Sequence, residues 1–71
     1  MHKIKNRLLE MRKKENLTQK QLAEKSGVGR TTISNIENKV YIPGVDVALK
    51  LTHALVCTVE DVFMLKGDNE E

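Results

Sequence analysis

Seventy-one residues, 31% charged and 39% hydrophobic, make one small domain with a limited core. A single cysteine, Cys57, excludes an internal disulfide and a cysteine-built zinc framework, and no run is apolar enough to span a bilayer. The net charge of +2 hides an asymmetry: residues 1–39 hold ten Lys or Arg against four Asp or Glu, and residues 40–71 hold two against six. The first half therefore carries a field suited to a polyanionic partner. The opening MHKIKNRLLE lacks the apolar stretch of a signal peptide, so a cytoplasmic location is expected.

In chain order, Ile4, Leu8 and Met11 recur at helical spacing and predict helix 1 from about Lys3 to Glu15, with Asn16 as a left-handed stop. Thr18 and Gln21 have capping-box spacing for helix 2, Gln19 to Ser26. Gly27 supplies the positive backbone angle of a turn too short to be a loop, which forces a steep crossing to helix 3, Arg30 to Asn38. Leu22, Ala23, Val28, Ile33 and Ile36 are the apolar positions, and Ala23 is small where two backbones approach. This is a helix-turn-helix pattern.

KVYIPG, with Pro43, reads as a connecting loop. Helix 4 is predicted from about Val45 to Leu55, with Val45, Ala48, Leu51, Thr52 and Leu55 inward and Asp46, Lys50 and His53 outward. Thr58 and Asp61 cap helix 5, which turns Val59, Val62 and Phe63 inward. Residues 66–71, KGDNEE, hold no apolar residue and read as a disordered acidic tail, leaving residues 1–65 as the domain. With no strand expected, the fold class is all-α, a compact five-helix bundle.

At 100° per residue, Ile33 and Ile36 share one side of helix 3, while Thr31, Ser34, Asn35 and Asn38 gather opposite, with Arg30 on a flank. Solvated helix faces usually carry Glu and Lys pairs. A polar face nearly free of acid and led by an arginine suits base edges in a major groove.

The segments LTQKQLAEKSGV, TTISNIENK, YIPG and ALKLTHALVCTVEDVF, within Ile4 to Phe63, resemble the phage-repressor and Cro-like helix-turn-helix family, also called the xenobiotic-response-element family of bacterial transcriptional regulators. The resemblance implies a lambda-repressor-like domain that binds double-stranded DNA. It places base reading on Arg30, Thr31 and Asn35, with Thr32 and Ser34 close by. Arginine can grip guanine and asparagine adenine with two bonds each, and a threonine methyl can pack on thymine. A phosphate clamp is the alternative for Arg30, and plain solvation for Thr31 and Asn35. Gln19, at the start of helix 2, is implied to bind phosphate and to brace the first residue of helix 3. Asn38, Lys39 and Tyr41 are secondary phosphate candidates.

The family also sets an arginine late in helix 1 against a glutamate late in helix 3. Arg12 and Glu37 match, implying an ion pair that orients helix 3 and leaves part of the guanidinium facing phosphate. Three departures stand out: glycines at the cap positions 29 and 44, Val56 where a glycine usually turns the chain into helix 5, and Thr52 in place of alanine. A β-branched residue resists the left-handed conformation, and the Thr52 hydroxyl is expected to bond back one helical turn.

His53 and Cys57 are too few for a metal site, no cofactor is expected, and no nucleophile with a base suggests an enzyme. Leu49, Val56, Val59, Met64 and Leu65 either complete the core or form an apolar patch for a second copy, and a homodimer is the preferred reading. The function read is a transcriptional regulator, in the first instance a repressor, on an inverted-repeat operator. No effector domain or small-molecule pocket is expected. The alternative is a protein-interaction module, such as an antitoxin or antirepressor partner, in which DNA binding is secondary.

Overall fold

Two reciprocal capping boxes start two of the five helices. The Thr18 hydroxyl accepts from the Gln21 N–H at 3.0 Å while the Thr18 N–H donates to Gln21 Oε1 at 2.8 Å. Thr58 and Asp61 repeat the exchange at 3.2 and 2.9 Å. The computed structural model describes residues 3–66, in the order β1 (Lys3–Asn6), α1 (Leu8–Lys14), α2 (Gln19–Ser26), α3 (Arg30–Glu37), α4 (Val45–Ala54), α5 (Val59–Val62) and β2 (Phe63–Lys66). Leu8, Leu22, Val28, Ile33, Ile36, Leu51, Ala54, Leu55 and Val62 form the buried cluster, with Met11, Leu17, Ala23, Val47, Cys57 and Phe63 packed around it.

The all-α expectation is corrected by a two-stranded antiparallel sheet in which Lys3, Ile4, Lys5 and Asn6 pair with Lys66, Leu65, Met64 and Phe63. Helix 1 starts at Leu8, not Lys3. Ile4 has helical spacing to Leu8, but residues 63–66 offer an extended partner for its backbone, and Asn6 diverts the chain. Its Oδ1 accepts from the Leu8 N–H at 2.8 Å, and the Arg7 N–H continues the ladder to the Val62 carbonyl at 2.9 Å. Short polar side chains compete for backbone groups in this way. Phe63 likewise opens β2 where helix 5 was expected to continue. Lys66 closes that strand, and the remainder of the expected tail, residues 67–71, lies outside the described residues.

Val45 is also corrected: it is exposed, not inward. The buried arc of α4 is centred on Ala48, Leu51 and Leu55, and at 100° per residue Val45 and Leu49 stand beyond its edge. Val59 is half-buried. The Thr52 hydroxyl donates to the Ala48 carbonyl at 2.9 Å, which satisfies a group buried inside the bundle. Asn16, Gly27, Lys39 and Val56 all have positive φ, at 59°, 79°, 64° and 55°. All four sit where one helix gives way to the next segment.

The Thr58 N–H, then its hydroxyl, hold the Asp61 carboxyl below its ordinary pKa. A depressed folded-state pKa means that the cap stabilises the fold above the ordinary carboxylate range, and that this contribution fades as pH falls through the lowered value. Thr58→Ala is expected to cost about 1 kcal/mol in urea unfolding at neutral pH, and Asp61→Asn to flatten the acid limb of the stability profile. An unchanged acid limb would remove Asp61 from the account.

Candidate nucleic-acid interface

α3 is held between a buried apolar face and an exposed polar one. Ile33 and Ile36 are fully buried, while Arg30, Thr31 and Asn35 are exposed and Thr32 and Ser34 are half-buried. Gln19 joins Arg30, Thr31 and Ser34 around one shallow hollow between the starts of α2 and α3. The glycine bend makes this possible, because Gly27 in the left-handed region lets its N–H close on the Ala23 carbonyl at 2.9 Å before the chain reverses.

The Arg12–Glu37 contact joins α1 to the last residue of α3. Arg12 Nε donates to Glu37 Oε2 at 2.6 Å, Nη2 to Oε1 at 3.1 Å, and Nη1 to the Leu17 carbonyl at 2.8 Å. The two side chains are only 11% and 4% exposed. Hydrogen bonding to Glu37 raises the Arg12 pKa above its ordinary value against the opposing effect of burial. Arg12 thus faces the fold, and little of its guanidinium is left for a phosphate. Glu37 is the only acid on α3, and it is turned inward and neutralised, so the exposed face of that helix presents no carboxylate to a duplex.

Sequence reasoning did not find two further contacts. Gln19 Nε2 donates to Glu37 Oε1 at 3.0 Å, so Gln19 braces the end of α3, not its first residue. Asn6 Nδ2 donates to the Ile36 carbonyl at 2.6 Å, tying β1 to the same helix end. No local spacing pointed to the Gln19 contact, whose two partners lie 18 residues apart. For Asn6 the helical spacing of Ile4 and Leu8 masked it.

After α3 the chain folds back on its own helix. The Asn35 carbonyl accepts from the N–H groups of Val40 and Tyr41 at 2.9 and 3.3 Å, and Lys39 takes a left-handed backbone to allow it. Asn38, Lys39 and Tyr41 are consequently exposed beside the end of α3. Behind this loop lies a small cleft of about 100 Å³ lined by Ile4, Asn6, Lys39, Tyr41, Ile42, Pro43 and Phe63.

Among the described residues no group of His, Cys, Asp and Glu is arranged to hold a metal, and no helix is long and apolar enough to cross a membrane. Burial pushes the Cys57 thiol pKa up, with Asp61 and Glu15 adding to the effect, which disfavours the thiolate.

A helix-turn-helix family model matches residues 8–62. The chain belongs to the phage-repressor and Cro-like helix-turn-helix family. It is 38% identical over 66 residues to the uncharacterized HTH-type transcriptional regulator YgzD of Bacillus subtilis, an alignment covering 93% of this chain and all of the relative. An uncharacterized HTH-type transcriptional regulator of Methanocaldococcus jannaschii is 40% identical over 65 residues, 92% of this chain and 98% of its own. Another, from Methanothermobacter thermautotrophicus, is 42% identical over 60 residues, 83% and 87% of the two chains.

Glu37→Ala leaves Arg12 charged and unpaired in a mostly buried site, and is expected to cost about 3 kcal/mol in denaturant unfolding. Gln19→Ala removes one hydrogen bond and is expected to cost about 1 kcal/mol. Equal losses from the two would mean that the carboxylate is held no more tightly by the arginine than by the amide.

Proposed function

We propose that the protein is a DNA-binding transcriptional regulator, in the first instance a repressor, that inserts α3 into the major groove of an inverted-repeat operator as a homodimer. The observation that carries this reading is the outward polar face of α3, with Arg30, Thr31 and Asn35 exposed and the helix's one acid buried. Arg30 and Asn35 read base edges, with Thr31, Thr32 and Ser34 packing and bonding beside them. Gln19, Asn38, Lys39 and Tyr41 follow the phosphate backbone and set the register. Arg12 and Glu37 are positioning residues that hold the reading helix at its angle.

The names of the relatives support regulation of transcription, and the positive charge of the first half supports a polyanionic partner. Two copies related by a two-fold axis place their reading helices in successive major grooves, about 34 Å apart. Neutralised phosphates release counterions, so affinity falls steeply as salt rises.

Selection from random duplex DNA, followed by binding measurements across salt, tests the proposal. The expected result is an enriched palindrome whose affinity declines linearly with the logarithm of salt concentration. Arg30→Ala is expected to relax specificity at one base position by about 1–3 kcal/mol, whereas Lys39→Ala weakens all duplexes alike and lowers the salt slope by about 1. Salt-sensitive binding without any enriched sequence would contradict operator recognition and favour a role driven by a protein partner.

A further inference from the structure

Both strands lie outside residues 8–62, the stretch matched by the family model, so the sheet is an addition to the helical core. Its register leaves one edge of β1 unpaired. The Arg7 N–H bonds to the Val62 carbonyl at 2.9 Å, which makes 7 and 62 a hydrogen-bonded pair and, two residues back, Lys5 with Met64. Ile4 and Asn6 alternate with these and direct their backbone N–H and C=O groups away from β2. Among the described residues no other segment bonds to those groups.

The side chains beside this edge sort by face. Ile4 and Asn6 share one face of the sheet with Phe63 and Leu65, and Lys5 stands on the other with Met64. On the first face, the cleft of about 100 Å³ behind the loop after α3 is walled by Ile4, Tyr41, Ile42, Pro43 and Phe63. That is below the roughly 300 Å³ at which small-molecule pockets begin, and it suits one side chain. Ile4 and Tyr41 are still 41% and 43% exposed beside it. Along the same edge Lys5, Arg7, Lys39 and Lys66 line an open hollow. Its one acid among the described residues, Glu10, is paired with Arg7 at 3.6 Å. Lys39 borders both the cleft and the hollow.

We propose that the free edge of β1 is a docking site for an extended segment of a partner protein in which apolar and acidic side chains alternate. Added beside β1, such a strand exchanges hydrogen bonds with the backbone of Ile4 and Asn6. Its apolar side chains fall on the cleft face and its carboxylates on the Lys5 face, where opposite charges on neighbouring strands attract. Lysines at a sheet edge keep unspecific strands away, and here they select for acid. A second β1 in the same place would set Lys5 and Arg7 of two copies against each other. A phosphate backbone would satisfy the hollow but leave the apolar cleft unfilled. Lys39 also lies on the phosphate track of the DNA-binding reading above, so a docked strand withdraws it from a duplex.

Amide hydrogen exchange of the full chain, without DNA, tests the proposal together with an NMR titration. The probe is an end-capped peptide of about eight residues alternating valine and glutamate, compared with one of the same composition whose valines are clustered. At saturation the alternating peptide is expected to slow exchange at the Ile4 and Asn6 amides about tenfold or more, and the clustered one to leave them unchanged. Lys5→Glu, at an exposed position, is expected to weaken the alternating peptide about tenfold and to tighten one that alternates valine with lysine. Ile4→Pro removes an N–H that the ladder does not use, and is expected to abolish docking with little change in melting temperature. An alternating peptide that fails to bind, or that binds without slowing those two amides, would overturn the docking edge. So would equal binding of the two peptides. Slowed exchange at the same amides on adding duplex alone, or on raising the protein concentration alone, would give the edge to DNA or to a second copy and overturn it as well. Operator recognition is read by its own selection experiment and survives failure of the peptide to dock.

Discussion

The buried carboxylate of Glu37 is the point on which the arrangement turns. It closes α3 and takes both nitrogens of one guanidinium edge from α1 and an amide from α2, so a single ion fixes three helices relative to one another. A carboxylate only 4% exposed would be costly without such partners. Arg12 extends the arrangement by holding the Leu17 carbonyl in the turn between α1 and α2. The same burial removes the only negative charge from the helix proposed to approach phosphates. Orientation and electrostatics thus come from one contact. Removing one partner of a buried pair of this kind leaves the other charge buried and uncompensated, which is why the two side chains depend on each other.

Around that contact the chain is turned by residues in left-handed conformations. Gly27 does so without cost, Asn16 at little cost, and Lys39 and Val56 against their own preference. The Lys39 turn is supported by the Asn35 carbonyl, which collects two N–H groups and keeps the following loop beside α3. Asn6 adds an anchor from the sheet to the last turn of that helix. Polar contacts therefore meet at the end of α3, while its first turn, with Arg30 and Thr31, stays open. The Val56 turn is closed within the subunit as well, its N–H donating to the His53 carbonyl at 3.1 Å and the Cys57 N–H to the Thr52 carbonyl at 3.0 Å.

Elements whose determinants are local could be read from the sequence. Both capping boxes, the left-handed stop at Asn16, the glycine bend and the back-bonded Thr52 each depend on residues within a few positions of one another. The split of α3 into a buried Ile33 and Ile36 side and an exposed polar side follows from helical period alone. What escaped was non-local. β1 exists because residues 63–66 lie alongside it, and Ile4 fits helical spacing as well as it fits a strand. Phe63 left the helix for the same reason. Val45 shows a different failure, since the first residue of an amphipathic pattern can overhang the core it points toward. Gln19 and Glu37 lie 18 residues apart, and no spacing rule joins an amide at one helix start to a carboxylate at another helix end.

The most direct test of the account is backbone and side-chain NMR of the protein titrated with its selected duplex. The expected result is that shifts concentrate on Gln19, on residues 30–35 and on residues 38–41, with Arg30 and Asn35 side-chain resonances among the largest, while Ile33 and Ile36 stay near their free positions. Changes confined to the sheet or to α4, with the outward face of α3 silent, would contradict the claim that this helix reads DNA.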